Sequence, residues 1–410
     1  MMGPLAGLKV IDLTHVMAGP TCTLMLADMG ADVIKVEKTP QGDDSRHMIP
    51  PKIGEESAAF LMMNRNKRGV VIDLKTAGGK KVLRRLVESA DVLVENFAPG
   101  VLDRFGFAYD EVRAYNPELI YCSLSGFGRS GPYRTRRGLD LIAQAMSGLM
   151  SITGESSDRP PIKCGAPLSD ITAGIIAAMG ILAAYAHRLR TGEGQRVDTS
   201  LFEAALVQTY WQSAIALATG VAPRAMGSAH PLSAPYQAFQ AADGWIVVGG
   251  ANQRNWLRLL EALEANELAN DPRFLTGSER MAHLAELECE LAKRFRARPA
   301  AHWLAALEDK GVPCGPVNNM LQALADPQAR AREMVVEVEH SELGSVQTLG
   351  LPVKFSRTPG AVRTGAPVYG EHTRAVLYEY GFEDEEIAAL EREGAVVAAG
   401  ALNVRSQKIA

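Results

Sequence analysis

Five short runs rich in apolar residues recur through the first third of the chain: LKVIDLT (8–14), DVIKVEK (32–38), RGVVIDL (68–74), DVLVENF (91–97) and LIYCSLS (119–125). Stretches with helical spacing, 20–29, Thr76–Ser89 and Tyr109–Tyr115, stand between several of them. Strands this apolar must be covered on both faces, which a parallel sheet flanked by helices achieves. Crossovers in such a sheet are right-handed, and ligands bind beyond the carboxyl ends of its strands. The pattern therefore predicts an α/β domain and directs attention to the residues that follow each strand.

Further along, two long apolar helices are expected at 139–150 and 170–190, separated by the polar loop TGESSDRPPIKCGAPLS. A strand at 195–199 and a helix from Ser200 to about Ala218 follow. Pro, Gly, Ala and Ser then dominate 220–235, where a second unit begins. Tyr236–Gln240 and Trp245–Val248 alternate about Ala241-Ala242-Asp243-Gly244, a hairpin signal, and helical patterns run through 253–264, 281–296 and 299–310. Val335–Glu339 and Thr348–Phe355 flank a Ser-Glu-Leu-Gly turn, and the tail from Gly370 is helical. The organisation predicted is a large α/β domain, 1–200 and 330–410, with a small α+β domain at 226–310 inserted through linkers at 201–225 and 311–329.

A net charge of -4 supplies no global basic field, so neither nucleic acid nor an anionic membrane is an expected partner. Any anionic ligand must be held by a local cluster of Lys and Arg. The five cysteines are scattered without a CxxC pair, which argues against a disulfide framework or zinc site and fits a reducing cytosol. Met1 to Lys9 is too short and weakly apolar for a signal peptide, and 171–186, interrupted by glycines, reads as a buried helix rather than a membrane span. A cytoplasmic protein is expected. The histidines form no H-E-x-x-H set, so no metal is expected, and no G-x-S-x-G nucleophile elbow occurs.

At the first strand–helix turn stands MAGP, and Glu37 ends the second strand where a ribose-binding acid would lie, but G-x-G-x-x-G is absent and a dehydrogenase is disfavoured. The helix N-terminus at 19–22 stays a candidate for an anion or a backbone contact. Lys38, Lys75, Arg104 and Arg137 all follow strands, an arrangement that suits the phosphates of an extended nucleotide-like ligand. Asp170 opens the second long helix. Either Ser169 or Asp170 is its N-cap, or Asp170 is a carboxylate kept ionised by the helix N-terminus and available as a nucleophile.

Taken together, MAGPTCTLMLADMGADVIKVEK, NRNKRGVVIDLK, ADVLVENFAPGVLDRFGF, LSGFGRSGP, the Asp170 segment, TGEGQRVDTSLFEA and KGVPCGPVNNM resemble, in order and over nearly the whole chain, the class III CoA-transferase family. That family includes formyl-CoA transferase, carnitine CoA-transferase and the related acyl-CoA racemases. The resemblance implies a Rossmann-like large domain with an inserted small domain, assembled as an interlocked homodimer. It implies Asp170 as the nucleophile. It also implies CoA contacts at Val16, Met17 and Ala18, at Lys38, at Ile72, Asp73, Leu74 and Lys75, at Asn96, Phe97 and Ala98, at Arg104, and at Arg137, Gly138, Leu139 and Asp140. CoA and acyl-CoA would be substrates, with a carboxylic acid as second substrate and no permanently bound cofactor.

In such enzymes the carboxylate attacks the acyl-CoA thioester, and backbone N–H groups near Gly249-Gly250 are expected to stabilise the oxyanions. Met17 replaces the Gln of formyl-CoA transferases, and Lys38 replaces an Arg. The HPLSAPYQAF…DGWIVVGG stretch looks more like relatives that use succinyl-CoA or another dicarboxylyl-CoA. Two alternatives stand beside this reading. A racemase needs a His before the aspartate of Gly138-Leu139-Asp140, where this chain has Leu139, and a non-catalytic CoA-binding protein would have no use for Asp170.

Overall fold

The computed structural model describes residues 3–399 and divides into two compact units, one of 1–147, 165–208 and 327–410, the other of 148–164 and 209–326. The part of the large domain expected at 400–410 and the first two residues lie outside the described residues.

In the first unit the apolar runs become strands β1 (Lys9–Asp12), β2 (Asp32–Glu37), β3 (Lys67–Ile72), β4 (Val92–Glu95), β5 (Ile120–Ser125) and β6 (Arg196–Ser200). Together with Val396–Val397 they form a seven-stranded sheet in the order Val396–Val397, β3, β2, β1, β4, β5, β6. All pairs are parallel except that of the C-terminal strand with β3. The mixed α/β architecture predicted from the strand pattern is present. The sheet order reverses beside β1, with β2 on one side and β4 on the other, and a ligand crevice forms at such a reversal.

Each strand feeds two cores because alternate side chains point to opposite faces. Val10, Val33, Val92 and Ile120 pack with helices α1 (Ala18–Asp28) and α4 (Leu168–Thr191), α2 (Ala77–Glu88) and α3 (Asp140–Met146) lying between these in sequence. Ile11, Ile34, Leu93 and Tyr121 pack on the other face with α2 and with the C-terminal helices Thr373–Glu379 and Asp384–Arg392. Thr76 caps α2 by accepting the Gly79 N–H at 2.9 Å.

By length and composition α4 could cross a membrane, but Ala173, Gly174, Ala177, Ala178, Ile181 and Ala184 form a buried stripe against this core. Gly174 sets how closely α4 meets α1. A Cβ there would lie 2.6 Å from the Ala18 carbonyl oxygen and 2.7 Å from Thr21 Cβ. Asp170 is one turn earlier on the same face, so this close approach carries it to the start of α1.

The second unit pairs Tyr236–Gln240 (β7), Trp245–Gly249 (β8) and Cys314–Pro316 (β9) as an antiparallel sheet in the order β9, β8, β7. Phe239, Ile246, Val248, Trp256, Leu259, Phe295 and Trp303 make its core. Arg280 is buried with them. Its guanidinium donates to the carbonyls of Ala234 (2.8 Å) and Phe274 (3.0 Å) and lies over the Trp256 ring.

Several expectations need correction. The helix expected at 139–150 stops at Met146, because Gly148 turns left-handed (φ 86°) and a short 3₁₀ segment follows. Residues 148–164, read from sequence as part of the large domain, belong to the second unit, where the Gly227 N–H donates to the Gly154 carbonyl at 2.9 Å. The helix expected from Ser200 to Ala218 is two helices, α5 (Leu201–Val207) and Tyr210–Thr219. The hairpin after 335 pairs Val335–His340 with Gly344–Leu349, leaving 350–355 outside the strand. The edge strand Val396–Val397 was unforeseen.

Candidate active site

The turn from β1 into α1 is built on buried charge. Asp12, at the end of β1, is fully buried and accepts from Thr14 N–H (2.9 Å), Thr23 Oγ1 (2.6 Å) and Lys67 Nζ (3.1 Å). Lys35, also fully buried, pairs with Asp43 at 2.8 Å and donates to the Thr14 carbonyl at 2.9 Å. Burial works against the Asp12 carboxylate, but Lys67 and Lys35 outweigh it and hold its pKa down to about 2. Burial in turn lowers Lys67 to about 8, with Asp12 opposing.

This network fixes a strained backbone. Val16 sits at φ 67°, a left-handed conformation that costs a β-branched residue on the order of 1–3 kcal/mol. Its N–H donates to Asp43 Oδ1 at 3.0 Å, while Asn96 clamps the residue before it, accepting the His15 N–H and donating to the His15 carbonyl, both at 2.9 Å. The side chains of β2, β3 and β4 and the loops after them thus hold the loop that precedes α1.

A cavity of about 380 Å³ opens beside this loop at the carboxyl edge of the sheet. Val16, Met17, Ala18, Lys38, Asn96, Phe97, Ala98, Gly138, Leu139 and Asp170 line it, with His15, Asp44, Leu124, Ser125, Gly126 and Leu201. Gly126 and Gly138 bring the 136–140 loop onto the end of β5. A Cβ on Gly126 would lie 2.6 Å from Gly138 Cα, and one on Gly138 would lie 2.6 Å from Gly126 Cα.

A second cavity, of about 170 Å³, is lined by Ile72, Asp73, Leu74 and Lys75 with Leu13, Val36, Glu37, Thr39 and Phe105. His15, Lys38 and Phe97 line both cavities. The structure therefore brings most of the sequence-predicted contacts to two neighbouring cavities. Arg104 and Arg137 line neither and are exposed, Arg104 at the end of the short helix Val101–Arg104 beyond β4 and Arg137 on the loop beyond β5. Lys38 is ion-paired with Asp44, so its charge is shared before any ligand arrives.

Asp170 departs from both sequence readings. It is the third residue of α4, whose N-cap is Pro167, and no side chain of its own caps the helix. Every N–H of the first turn is already engaged: Leu168 with the Ala166 carbonyl, Ser169 and Asp170 with Asp140 Oδ1, and Ile171 with the Pro167 carbonyl. The Asp170 carboxylate gains nothing from them. Burial, and then the Asp140 charge, raise its pKa from 3.8 to about 7. The expectation of a carboxylate kept ionised by the helix N-terminus is overturned.

Asp140 is likewise not free to face a ligand, since its oxygens accept from α4 and from Gln144 Nε2 (2.7 Å). Glu37, weighed as a ribose acid, is held by Arg46 at 2.7 and 2.8 Å. Gly249, expected to offer a free amide, donates its N–H to the Pro313 carbonyl at 2.8 Å.

The sequence reading missed His15 and Asp43. His15 Nδ1 is buried with no protein hydrogen bond, and its ring meets Phe97 edge-on at 5.7 Å. Burial, then Lys35, lowers its pKa, so the imidazole is neutral at pH 7. Its place directly before Val16, which the resemblance already implied as a CoA contact, was the signal. Asp43 carried none, lying in a polar loop.

The site is thus a carboxyl group of raised pKa with no side-chain partner among the described residues, set in a cavity beside a helix N-terminus. The model of CoA-transferase family III matches residues 5–373. A succinate–glutarate CoA-transferase of Agrobacterium fabrum is 41% identical over 92% of this chain and 95% of its own. An acetyl-CoA:oxalate CoA-transferase of Acetobacter aceti is 42% identical over 92% and 96%. The human succinyl-CoA:glutarate CoA-transferase is 36% identical over 96% and 90%. Among solved structures, a CaiB/BaiF family protein of Brucella suis superposes with a TM-score of 0.82 at 40% identity, covering 93% of this chain and all of that one. With its sequence and fold in agreement with these relatives, the chain belongs to CoA-transferase family III and is an enzyme of that class.

Proposed function

We propose that the enzyme moves CoA from succinyl-CoA or another dicarboxylyl-CoA to a carboxylic acid, with Asp170 as the covalent nucleophile. The observation that carries this is the Asp170 carboxyl itself, which lines the larger cavity and has neither a cation nor a hydrogen-bond donor on it among the described residues. Such a group is a poor structural element and a good nucleophile once deprotonated, since a carboxylate of higher pKa is more basic.

Asp170 attacks the thioester carbonyl, forming an acyl–aspartyl anhydride as the C–S bond breaks and CoA thiolate leaves. The thiolate then attacks the aspartyl carbonyl, giving an aspartyl-CoA thioester and releasing the first acid. The acceptor carboxylate reverses both steps, leaving new acyl-CoA and free Asp170. The remote CoA body positions these steps, with its contacts at the two cavities and at Lys75, Arg104 and Arg137.

The activities for which relatives are named support a dicarboxylic partner. They pair succinyl-CoA with glutarate or mesaconate, and acetyl- or formyl-CoA with oxalate. Incorporation of labelled succinate into succinyl-CoA, or of labelled glutarate into glutaryl-CoA with succinyl-CoA as donor, tests the proposal. Exchange that depends on Asp170 is expected, and no exchange from succinyl-CoA with any acid would discard the donor. Leu139 on the cavity wall disfavours a racemase, because leucine moves no proton.

A homodimer of cytoplasmic location completes the proposal. Helix Tyr210–Thr219 is apolar in sequence yet has no buried residue within one chain, which supports a second copy covering it. Light scattering at twice the chain mass is the expected result.

A further inference from the structure

We infer that Asp140 is a positioning residue for Asp170, tying down the first turn of α4, rather than a contact for CoA. The inference rests on Asp170 being the nucleophile proposed above. Helix α4 has no cap of its own, because Pro167 at the cap position offers no side-chain acceptor. Asp140, the first residue of α3, takes that role from outside the helix. Its Oδ1 accepts the Ser169 N–H at 2.9 Å and the Asp170 N–H at 3.4 Å. Its Oδ2 is held by Gln144 Nε2 at 2.7 Å, and Gln144 is fully buried.

One carboxylate therefore does two things to the other. By anchoring the backbone of Asp170 it sets where that side chain enters the cavity. By occupying the helix N–H groups it denies them to the Asp170 carboxylate, and its charge raises the pKa of that group. Little else nearby adds to this or offsets it. The first turn of α1 carries no acidic residue, Glu203 of α5 is engaged by Ser200, Lys38 is paired with Asp44, and His15 is neutral at pH 7. The carboxylate of Asp140 thus shapes the nucleophile without touching the substrate.

Two variants of the full-length enzyme separate this from the ligand role that the family resemblance implies. Asp140→Ala removes anchor and charge, and should lower kcat roughly 10- to 100-fold while the KM for succinyl-CoA stays within about twofold. Asp140→Asn keeps an oxygen for both N–H groups, with the Gln144 amide turning to meet it. It should recover most of kcat and move the acid limb of the kcat/KM profile down by about one pH unit.

A raised KM with unchanged kcat in Asp140→Ala would overturn the inference, as would an Asp140→Asn limb coincident with wild type. If Asp140→Ala does not fold, the pH limb of Asp140→Asn decides alone. Failure of the underlying reading looks different: wild type itself would then show no acid exchange, or Asp170→Ala would exchange normally.

Discussion

Asp12 and Asp170 are two carboxyl groups withdrawn from water in the same unit, one at the base of α1 and one in the first turn of α4. Asp12 is met by Lys67, Lys35, two threonines and a backbone N–H, and its pKa is drawn down to about 2. Among the described residues Asp170 is met by no donor but by the charge of Asp140, and its pKa is pushed up to about 7. The same side chain is structural in one place and reactive in the other, because burial is fully offset by cations at the first and compounded by a like charge at the second. The paired site is also what makes the unpaired one useful: Asp43 and Asn96 hold the strained Val16 turn that lines the same cavity as Asp170.

The comparison breaks most visibly at the nucleophile. Asp170→Ala should lower CoA transfer by on the order of 10⁴-fold or more, with CoA affinity within a few-fold by titration calorimetry, since the carboxylate serves chemistry rather than binding. Removing one partner from the paired site should instead strike the fold. Asp12→Asn leaves Lys67 buried without its counter-charge, at a cost of about 3–5 kcal/mol by urea unfolding.

The pH dependence of stability sharpens the contrast because the two signs are opposite. Asp170, raised from 3.8 to about 7, contributes stability that is complete below its unfolded pKa and is lost as pH rises through about 7. Asp12, lowered to about 2, contributes stability present above 3.8 and lost as pH falls through about 2. Asp170→Asn should therefore melt above wild type at about pH 8 and match it near about pH 4. Equal melting temperatures at the higher pH would show that Asp170 is solvated there. The smallest effect expected is at Lys38, already shared with Asp44: Lys38→Ala should raise the KM for acyl-CoA by about 3- to 10-fold and leave kcat nearly unchanged.

How much of this was legible follows from where the physics resides. The runs VIDL, VIKVE and GVVI name buried parallel strands because their apolarity is local, and the loops after them name the cavity walls because ligands collect at strand ends. Lys35 lies inside one of those runs and Lys67 two residues before another, but their partners Asp43 and Asp12 come from other segments, so pairing waits for the sheet register. Asp170 was found through family likeness, whereas its chemistry was not: the link to Asp140 spans 30 residues and exists only once α3 and α4 pack. Val396–Val397 is too short to show a period, and its strand depends on the exposed edge of β3.

The most direct test of the account is to look for the covalent intermediate. Full-length enzyme incubated with succinyl-CoA, acid-quenched and digested, should yield the peptide bearing Asp170 with a CoA thioester adduct by mass spectrometry, and the adduct should vanish when acceptor acid is added. An unmodified Asp170 peptide, seen while labelled acid still enters acyl-CoA at the wild-type rate, would contradict the assignment of this carboxylate as the nucleophile.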